Sequence, residues 1–147
     1  MDRKDSPHEA AATTPLPRLE NLAVLVVEDE TMIALLLEDM LVELGCARIW
    51  HASSVGEALT CLGERRPDIA MLDVNLNREL VFPVAERLIE LGTPFVFATG
   101  YGGPELPASM AGAPLLHKPF SVEALGQLLA EELARARAPG SSGLRRA

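Results

Sequence analysis

The sequence predicts an α/β fold, a doubly wound five-stranded parallel sheet with helices on both faces. Five short apolar runs lack the alternation of a half-exposed strand, which is typical of strands covered on both faces. Segments with apolar residues at helical spacing separate them, and this regular alternation implies parallel strands joined by right-handed (βα)5 crossovers. The predicted strands are 22–27, 46–50, 69–72 leading to Asp73, 94–99 and 114–117.

The predicted helices are bounded by residues that start or stop helices. Gly45 supplies a left-handed stop for helix one, and Ser54 with Glu57 forms a capping box that opens helix two. Gly92 closes helix three, in which Pro83 is acceptable only in the first turn. From Thr31 onward, the inward-facing residues of helix one are predicted to be Ile33, Leu36, Leu37, Met40, Leu41 and Leu44.

The segment between strands four and five is predicted to form the weakest helix. Residues 100–113 are rich in glycine and proline, so this segment is expected to be weak or partly disordered. Ser121 then caps a final helix. Its inward-facing residues are predicted to be Val122, Leu125, Leu128, Leu129 and Leu133.

Length and composition indicate one globular domain. A chain of 147 residues with 48% hydrophobic residues can bury a core but is short for two ordinary domains. Residues 1–20 carry prolines among small and charged residues, which predicts a disordered leader. The domain is then expected to occupy 21–137, followed by a flexible tail at 138–147.

The charge balance argues against nucleic acids as partners. Thirteen basic and 21 acidic residues give a net charge of -8, which repels phosphate backbones. No apolar run is long enough to span a bilayer, and the first residues have no apolar signal core, so we expect a cytoplasmic protein without membrane contact. Cys46 and Cys61 lack zinc-ligand spacing and are expected to be buried, reduced thiols.

Chemistry-bearing residues follow four of the five predicted strands. The acidic triplet 28–30 follows the first strand, Asp73 the third, Thr99 the fourth and Lys118 the fifth. Because the carboxyl ends of parallel strands share one edge of the sheet, these side chains are expected to converge there. Crowded carboxylates either take up a proton or bind a hard divalent cation, so the sequence predicts a Mg²⁺ site.

The arrangement is suited to phosphoryl transfer. With Mg²⁺ held by Asp29, Asp73 and the backbone carbonyl of Asn75, Asp73 can act as a nucleophile and form an aspartyl phosphate. The Lys118 ammonium and the Thr99 hydroxyl would neutralise the phosphoryl oxygens. The chain has no GxxxxGK loop, so the expected phosphoryl donor is not an ATP bound by this chain.

Each of these signals has a plainer interpretation. An acidic cluster after a strand is often a solvated corner or a partner of a helix N-terminus. Asp73 alone could cap a turn, Thr99 could form a turn through its hydroxyl, and Lys118-Pro119 could be an ordinary loop. Their joint appearance in this order favours the phosphoacceptor interpretation.

From about Leu22 to Leu133 the chain resembles the receiver domain of two-component response regulators. The resemblance rests on residues 26–30 (Val-Val-Glu-Asp-Glu), 72–75 (Leu-Asp-Val-Asn), 98–100 (Ala-Thr-Gly) and 117–120 (His-Lys-Pro-Phe). It implies the flavodoxin-like strand order 2-1-3-4-5, an order for which a chemotaxis receiver is a standard example. It also implies a phosphoacceptor rather than a turnover enzyme.

The resemblance assigns a role to each site residue. Asp73 is similar to the phosphoacceptor, Glu28 and Asp29 to the metal-binding acids, Thr99 to the switch hydroxyl and Lys118 to the conserved-type lysine. In that family the bond corresponding to Lys118-Pro119 is cis.

Two further stretches resemble a narrower group, the FAT GUY receivers. They are residues 97–102 (Phe-Ala-Thr-Gly-Tyr-Gly) and 73–77 (Asp-Val-Asn-Leu-Asn). This likeness implies a single-domain protein that serves a histidine kinase of the HWE or HisKA2 type. Leu115 departs from ordinary receivers, which usually have an aromatic residue three positions before the lysine, and Tyr101 is the alternative candidate for a switch or gate.

Two alternatives and two outputs are compatible with these residues. The domain could be an unphosphorylated docking module, although the complete set of site residues argues against it. It could instead be a haloacid dehalogenase-type phosphohydrolase, but the third strand ends Asp73-Val74-Asn75 without a second acid. A phosphorylated form could signal through protein contacts or act as a phosphate sink.

Overall fold

The computed structural model describes residues 19–77, 79–100 and 106–137. Seven strands lie in these ranges: β1 Ala23–Val27, β2 Arg48–Ala52, β3 Ile69–Asp73, β4 Asn75–Leu76, β5 Glu79–Leu80, β6 Phe95–Thr99 and β7 Leu115–His117. Five of them form a parallel sheet in the order β2-β1-β3-β6-β7, and β4 pairs with β5 in a separate antiparallel ribbon. The main sheet therefore has the predicted strand order.

Four α-helices and one short 3₁₀ helix connect the strands. They are α1 Thr31–Glu43, α2 Val55–Glu64, α3 Phe82–Leu91, the 3₁₀ helix Ala108–Met110, and α4 Val122–Arg137. Buried residues of α2 and α3 pack on one face of the sheet, and those of α1 and α4 pack on the other. This division confirms the predicted doubly wound fold.

The sheet is buried because its strands are apolar on both faces. In β1, Leu25 and Val27 belong to the core beneath α2 and α3, whereas Val24 and Val26 belong to the core beneath α1 and α4. A strand covered on both sides needs no polar alternate positions, which explains the continuous apolar runs in the sequence. Because all five strands run parallel, their carboxyl ends lie at one edge of the sheet.

Most predicted helix ends are confirmed. Ser54 caps α2 by accepting a hydrogen bond from the Glu57 N–H at 3.1 Å. Glu57 accepts in return from the N–H and hydroxyl of Ser53, one residue earlier than a capping box requires. Gly45 and Gly92 have φ angles of 98° and 74°, as left-handed stops require. Pro83 lies in the first turn of α3.

The predicted start of the second strand is wrong by two residues. The prediction began at Cys46, but β2 begins at Arg48. The Cys46 N–H donates to the Leu41 carbonyl at 3.0 Å, which places Cys46 in the turn that closes α1. Both cysteines are free and half-buried.

The predicted burial of Leu36 is also wrong. Its side chain is 55% exposed, whereas neighbouring Leu37 is 4% exposed. The face of α1 that meets the sheet is centred on Ala34, Leu37 and Leu41, so the apolar set of this helix is wider than the surface it can bury.

The ribbon that follows β3 was not predicted. Asn75–Leu76 pairs with Glu79–Leu80, and Asn77 has a φ of 61°, a left-handed conformation that asparagine tolerates in turns. The Glu79 carboxylate accepts a hydrogen bond from the Val55 N–H at 3.1 Å. The segment after Asp73 is thereby tied to the start of α2.

The weak fourth helix and the chain ends are only partly described. Residues 106–113 contain the 3₁₀ turn and no α-helix, while 101–105 lie outside the described residues. The predicted leader and tail fall largely on 1–18 and 138–147, which also lie outside. Leu19 is buried, and its N–H donates to the Leu44 carbonyl. Among the described helices, none is both long and apolar enough to cross a bilayer.

Two adjacent leucines of α1 test this packing. Leu37→Ala should lower the free energy of unfolding by about 2–5 kcal/mol, because it leaves a cavity in the core. Leu36→Ala makes the same chemical change at an exposed position and should cost less than about 0.5 kcal/mol. Urea denaturation of both variants measures the difference, and equal losses would contradict this orientation of α1.

Candidate functional site

Three acidic side chains meet at the carboxyl edge of the main sheet. Glu28 and Asp29 directly follow β1, and Asp73 is the last residue of β3. One carboxylate oxygen from each lies within 4.8 Å of the other two. We call this group the acid cluster. β1 and β3 are neighbours in the sheet, so their parallel pairing brings Glu28 and Asp29 close to Asp73 although these residues are far apart in sequence.

Lys118 joins two members of the acid cluster. Its Nζ lies 2.9 Å from Glu28 Oε1 and 3.3 Å from Asp73 Oδ2. Lys118 follows β7 at the sheet edge, and its N–H donates to the Thr99 carbonyl, which extends the pairing of β6 and β7. The Lys118-Pro119 bond is cis, as the family resemblance implies.

Glu28 is the most deeply buried charged group of the site. Its side chain has no exposed surface, and Oε2 accepts a hydrogen bond from the Glu30 N–H. Burial raises the pKa of Glu28, and the nearby charge of Asp73 adds to this, while hydrogen bonds from Lys118 and Glu30 act in the opposite direction. The ionised form of Glu28 is therefore held at a free-energy cost.

The pKa of Lys118 responds to the same neighbours. Its burial tends to lower the pKa, but the hydrogen bond and charge of Glu28 and those of Asp73 outweigh burial and raise the pKa above the usual lysine value. Lys118 is thus held as an ammonium ion between two carboxylates.

Asp73 is largely buried, and both of its oxygens have partners. Oδ2 faces Lys118, and Oδ1 accepts a hydrogen bond from the Asn75 N–H at 3.3 Å. Asn75 thus lies beside the carboxylate, at the start of the β4–β5 ribbon. The predicted use of its backbone carbonyl as a metal ligand stays a prediction.

Thr99 lies next to the acid cluster without bonding to it. It is the buried last residue of β6, one position beyond Ala98, which pairs with Asp73 across the sheet. Its hydroxyl donates to the Gly100 carbonyl at 3.3 Å. The predicted role of this hydroxyl at Asp73 stays a prediction.

Two residues bear on the predicted switch: Tyr101 is a candidate gate, and Leu115 replaces the aromatic residue that receivers usually have at its position. Tyr101 lies outside the described residues. Leu115 is half-buried and packs against the core beneath α2 and α3, where it pairs with Phe97.

One residue at the site was missed by sequence reasoning. The Nε2 atom of His51 lies 2.7 Å from the Glu28 carbonyl oxygen. His51 belongs to β2, which pairs with β1, and it lies one residue before Ala52, the partner of Val27. A lone histidine on a strand carries no local signal for this contact. Only the register of β1 and β2 could have indicated it.

Comparison with known proteins identifies the family. A sequence model of the response regulator receiver domain matches residues 24–130. The chain belongs to the response regulator receiver family. Receiver domains act in two-component signalling as phosphoacceptors. The acid cluster therefore lies in a domain of a phosphoacceptor family.

Individual relatives agree with this assignment. The chain is 35% identical over 115 residues to the sensory transduction protein LytT of Bacillus subtilis, covering 74% of this chain and 46% of LytT. The receiver domain thus spans about half the length of that relative. The solution structure of SdrG from Sphingomonas melonis Fr1 is 37% identical with a TM-score of 0.68, covering 80% of this chain and 97% of SdrG.

A more distant structure supports the fold alone. The receiver domain of PhyR from Erythrobacter litoralis has a TM-score of 0.72 at 23% identity, covering 82% of this chain and 95% of that one. The PhyR domain matches the fold of this chain as closely as SdrG does, although its sequence identity is lower.

Replacing Glu28 tests the electrostatics of the site. A raised folded-state pKa means that the folded protein binds this proton more tightly than the unfolded chain, so ionised Glu28 lowers stability above that pKa. Glu28→Gln should therefore raise the thermal midpoint by a few degrees near neutral pH with a chelator present. The gain should shrink as the pH falls through the folded pKa of Glu28.

Glu57 provides a control of opposite sign. Hydrogen bonds from the N–H and hydroxyl of Ser53 lower the pKa of Glu57, so its ionised form adds stability that is lost as the pH falls through that folded pKa. Glu57→Gln should lower the midpoint near neutral pH. A Glu28→Gln variant that is also less stable there would contradict the assigned cost of burying Glu28.

Proposed function

We propose that this receiver domain accepts a phosphoryl group on Asp73 in a Mg²⁺-dependent reaction, with a histidine kinase as the donor. The observation that carries the proposal is the position of Asp73. It is a largely buried carboxylate at the open end of a central strand, beside two further acids and a lysine. That combination supplies a nucleophile, a cation site and a positive group for the phosphoryl oxygens.

The acid cluster fits a hard divalent cation. Three carboxylates face one ammonium, so the site retains excess negative charge, and its donor atoms are the oxygens that Mg²⁺ prefers. Asp29 and Asp73 would hold the ion, with Glu28 and the Asn75 carbonyl contributing. The bound cation would supply positive charge to the phosphoryl oxygens.

The protein residues divide the transfer step between them. A carboxylate oxygen of Asp73 forms the new O–P bond while the P–N bond of a phosphohistidine breaks, and the electron pair stays on the imidazole nitrogen, which takes a proton from solvent. Lys118, already 3.3 Å from Asp73, would shift to a phosphoryl oxygen. Thr99 would turn from the Gly100 carbonyl to donate to another.

The product is an acyl phosphate that resets by hydrolysis. Water attacks the phosphorus, inorganic phosphate leaves, and the Asp73 carboxylate is restored. The domain is thus a phosphoacceptor that assists its own modification, rather than a turnover enzyme. A phosphohydrolase of the haloacid dehalogenase type would need an acid at position 75, where this chain has asparagine.

An exposed apolar surface beside the site supports docking of a protein donor. Met32, Leu35 and Leu36, on the first two turns of α1, have side chains that are 73%, 51% and 55% exposed. We call these three residues the α1 patch. It begins three residues after Asp29, so a helical kinase segment bound there would lie beside Asp73. The HWE or HisKA2 type of kinase is the proposed donor, because of the FAT GUY resemblance.

Two outputs follow from the same chemistry. Phosphorylated protein could bind a downstream partner, or transfer to Asp73 could drain phosphoryl groups from a kinase as a sink. Both are proposed for a receiver that acts as a single domain. An unphosphorylated docking module is the alternative, and it predicts that Asp73 stays unmodified.

The proposal is tested with a small phosphodonor. Incubation with acetyl phosphate and Mg²⁺ should add one phosphoryl group to the wild-type protein, because the metal offsets the negative charge of the acid cluster. Intact mass spectrometry measures the addition. Chelator should abolish it, and so should Asp73→Asn. Equal modification of that variant, or modification that persists in chelator, would refute the assignment.

The α1 patch is tested with a kinase. The kinase used is the histidine kinase that phosphorylates the wild-type protein fastest. Leu36→Glu should slow phosphoryl transfer from this kinase by about tenfold, because the variant places a charge in an apolar contact. Labelling by acetyl phosphate should not change, because this small donor needs no docking surface.

Val42→Glu is the matched control for the α1 patch. Val42 is 63% exposed and lies near the other end of α1, away from the acid cluster. Transfer to this variant should match the wild-type rate. Equal transfer rates for Leu36→Glu and the wild type would place the kinase elsewhere.

A further inference from the structure

We propose that His51 is a positioning residue for the acid cluster, acting through the peptide group that joins Glu28 to Asp29. The inference deepens the proposed function, since it concerns the same cation site. The hydrogen bond from His51 Nε2 to the Glu28 carbonyl, at 2.7 Å, links strand β2 to the backbone of two acids of the proposed cation site.

Glu28 is held at every polar atom. Its N–H donates to the Ala52 carbonyl at 3.0 Å, Oε1 pairs with Lys118, and Oε2 accepts from the Glu30 N–H. The carbonyl oxygen is held by His51. Three of these four contacts come from backbone or from the site lysine. The contact made by His51 is therefore the one that a side chain other than the site lysine controls.

The consequence falls on Asp29. The Glu28 carbonyl belongs to the planar peptide unit that ends at the Asp29 Cα, so fixing this oxygen fixes the direction in which Asp29 leaves the strand. In the described part of the chain, the Asp29 carboxylate has no hydrogen-bond or ion-pair partner. Backbone geometry, rather than a side-chain bond, thus keeps Asp29 near Glu28 and Asp73.

The bond also defines the hydrogen on the histidine ring. A carbonyl oxygen can only accept, so Nε2 must carry a hydrogen. Both the neutral Nε2–H form and the imidazolium satisfy this requirement, so the positioning role does not depend on the charge of His51. A side chain that keeps one donor at a similar distance should preserve it.

His51 is supported from the start of α2. The Glu57 carboxylate, held by the N–H and hydroxyl of Ser53, faces His51 closely enough for electrostatic interaction. Ser53 is two residues after His51, so the turn from β2 into α2 carries both groups. The acid cluster therefore depends on a strand that contributes no ligand to it, as outer-shell partners of metal sites commonly do.

The test compares His51→Phe with His51→Gln in Mg²⁺ titrations of the unphosphorylated protein, followed by the amide NMR shifts of residues 29 and 30. His51→Phe keeps a planar ring but removes the donor, and should weaken Mg²⁺ binding by about tenfold, at the lower end of outer-shell effects. His51→Gln retains a donor and should stay within about twofold of the wild-type protein.

His117→Phe is the matched control. It makes the same chemical change at another exposed histidine, whose ring has no hydrogen-bond or ion-pair partner within the described ranges. It should leave Mg²⁺ affinity unchanged. Thermal unfolding of all three variants in chelator should show that each is fully folded at the titration temperature, although His51→Phe should unfold at a somewhat lower temperature because the Glu28 carbonyl loses its partner. An affinity loss confined to His51→Phe then cannot come from a general loss of fold.

Mg²⁺ affinity of His51→Phe equal to that of the wild type would overturn the inference. So would equal weakening in His51→Gln, because the loss would then follow the ring rather than the donor. Acetyl phosphate labelling of the wild-type protein is measured separately. A wild type that binds Mg²⁺ but is never labelled would refute phosphoryl transfer and leave the result for His51 intact.

Discussion

The Lys118 ammonium between Glu28 and Asp73 is the interaction on which the rest of this site depends. Glu28 has no exposed side-chain surface, and an unpaired buried carboxylate is strongly unfavourable. Lys118 supplies the compensating charge from 90 residues away in sequence. That pairing requires β1, β3 and β7 to end at one edge of the sheet, which only a parallel arrangement of these strands provides.

In the proposed reaction, the same pairing would make the site sensitive to a phosphoryl group on Asp73. Burial raises the pKa of Glu28, while Lys118 is held as an ammonium by the two carboxylates. Three acids against one lysine leave negative charge that a cation can neutralise. A phosphoryl group on Asp73 would draw the Lys118 ammonium from the Asp73 carboxylate oxygen to a phosphoryl oxygen, and would attract the Thr99 hydroxyl. A local change of charge would thus act on Thr99, the last residue of β6, and on Lys118, which directly follows β7.

Sequence alone predicted the features that depend on strand polarity. Acids and a lysine directly after apolar runs must meet if the runs form a parallel sheet, so the convergence of Glu28, Asp73 and Lys118 followed from the fold. Features set by packing or register did not follow. Leu36 has helical spacing like Leu37, yet the sheet cannot cover both. The contact between His51 and Glu28 depends on strand register, which no local pattern shows.

Phosphoryl transfer to Asp73 is tested most directly by locating the modified residue. The acyl phosphate formed with the kinase is reduced by borohydride, which converts an aspartyl phosphate to homoserine, and the site is then mapped by peptide mass spectrometry. Homoserine is expected at position 73, in the peptide that contains β3. Homoserine at any other aspartate, or a transferred phosphoryl group that resists borohydride, would contradict transfer to Asp73.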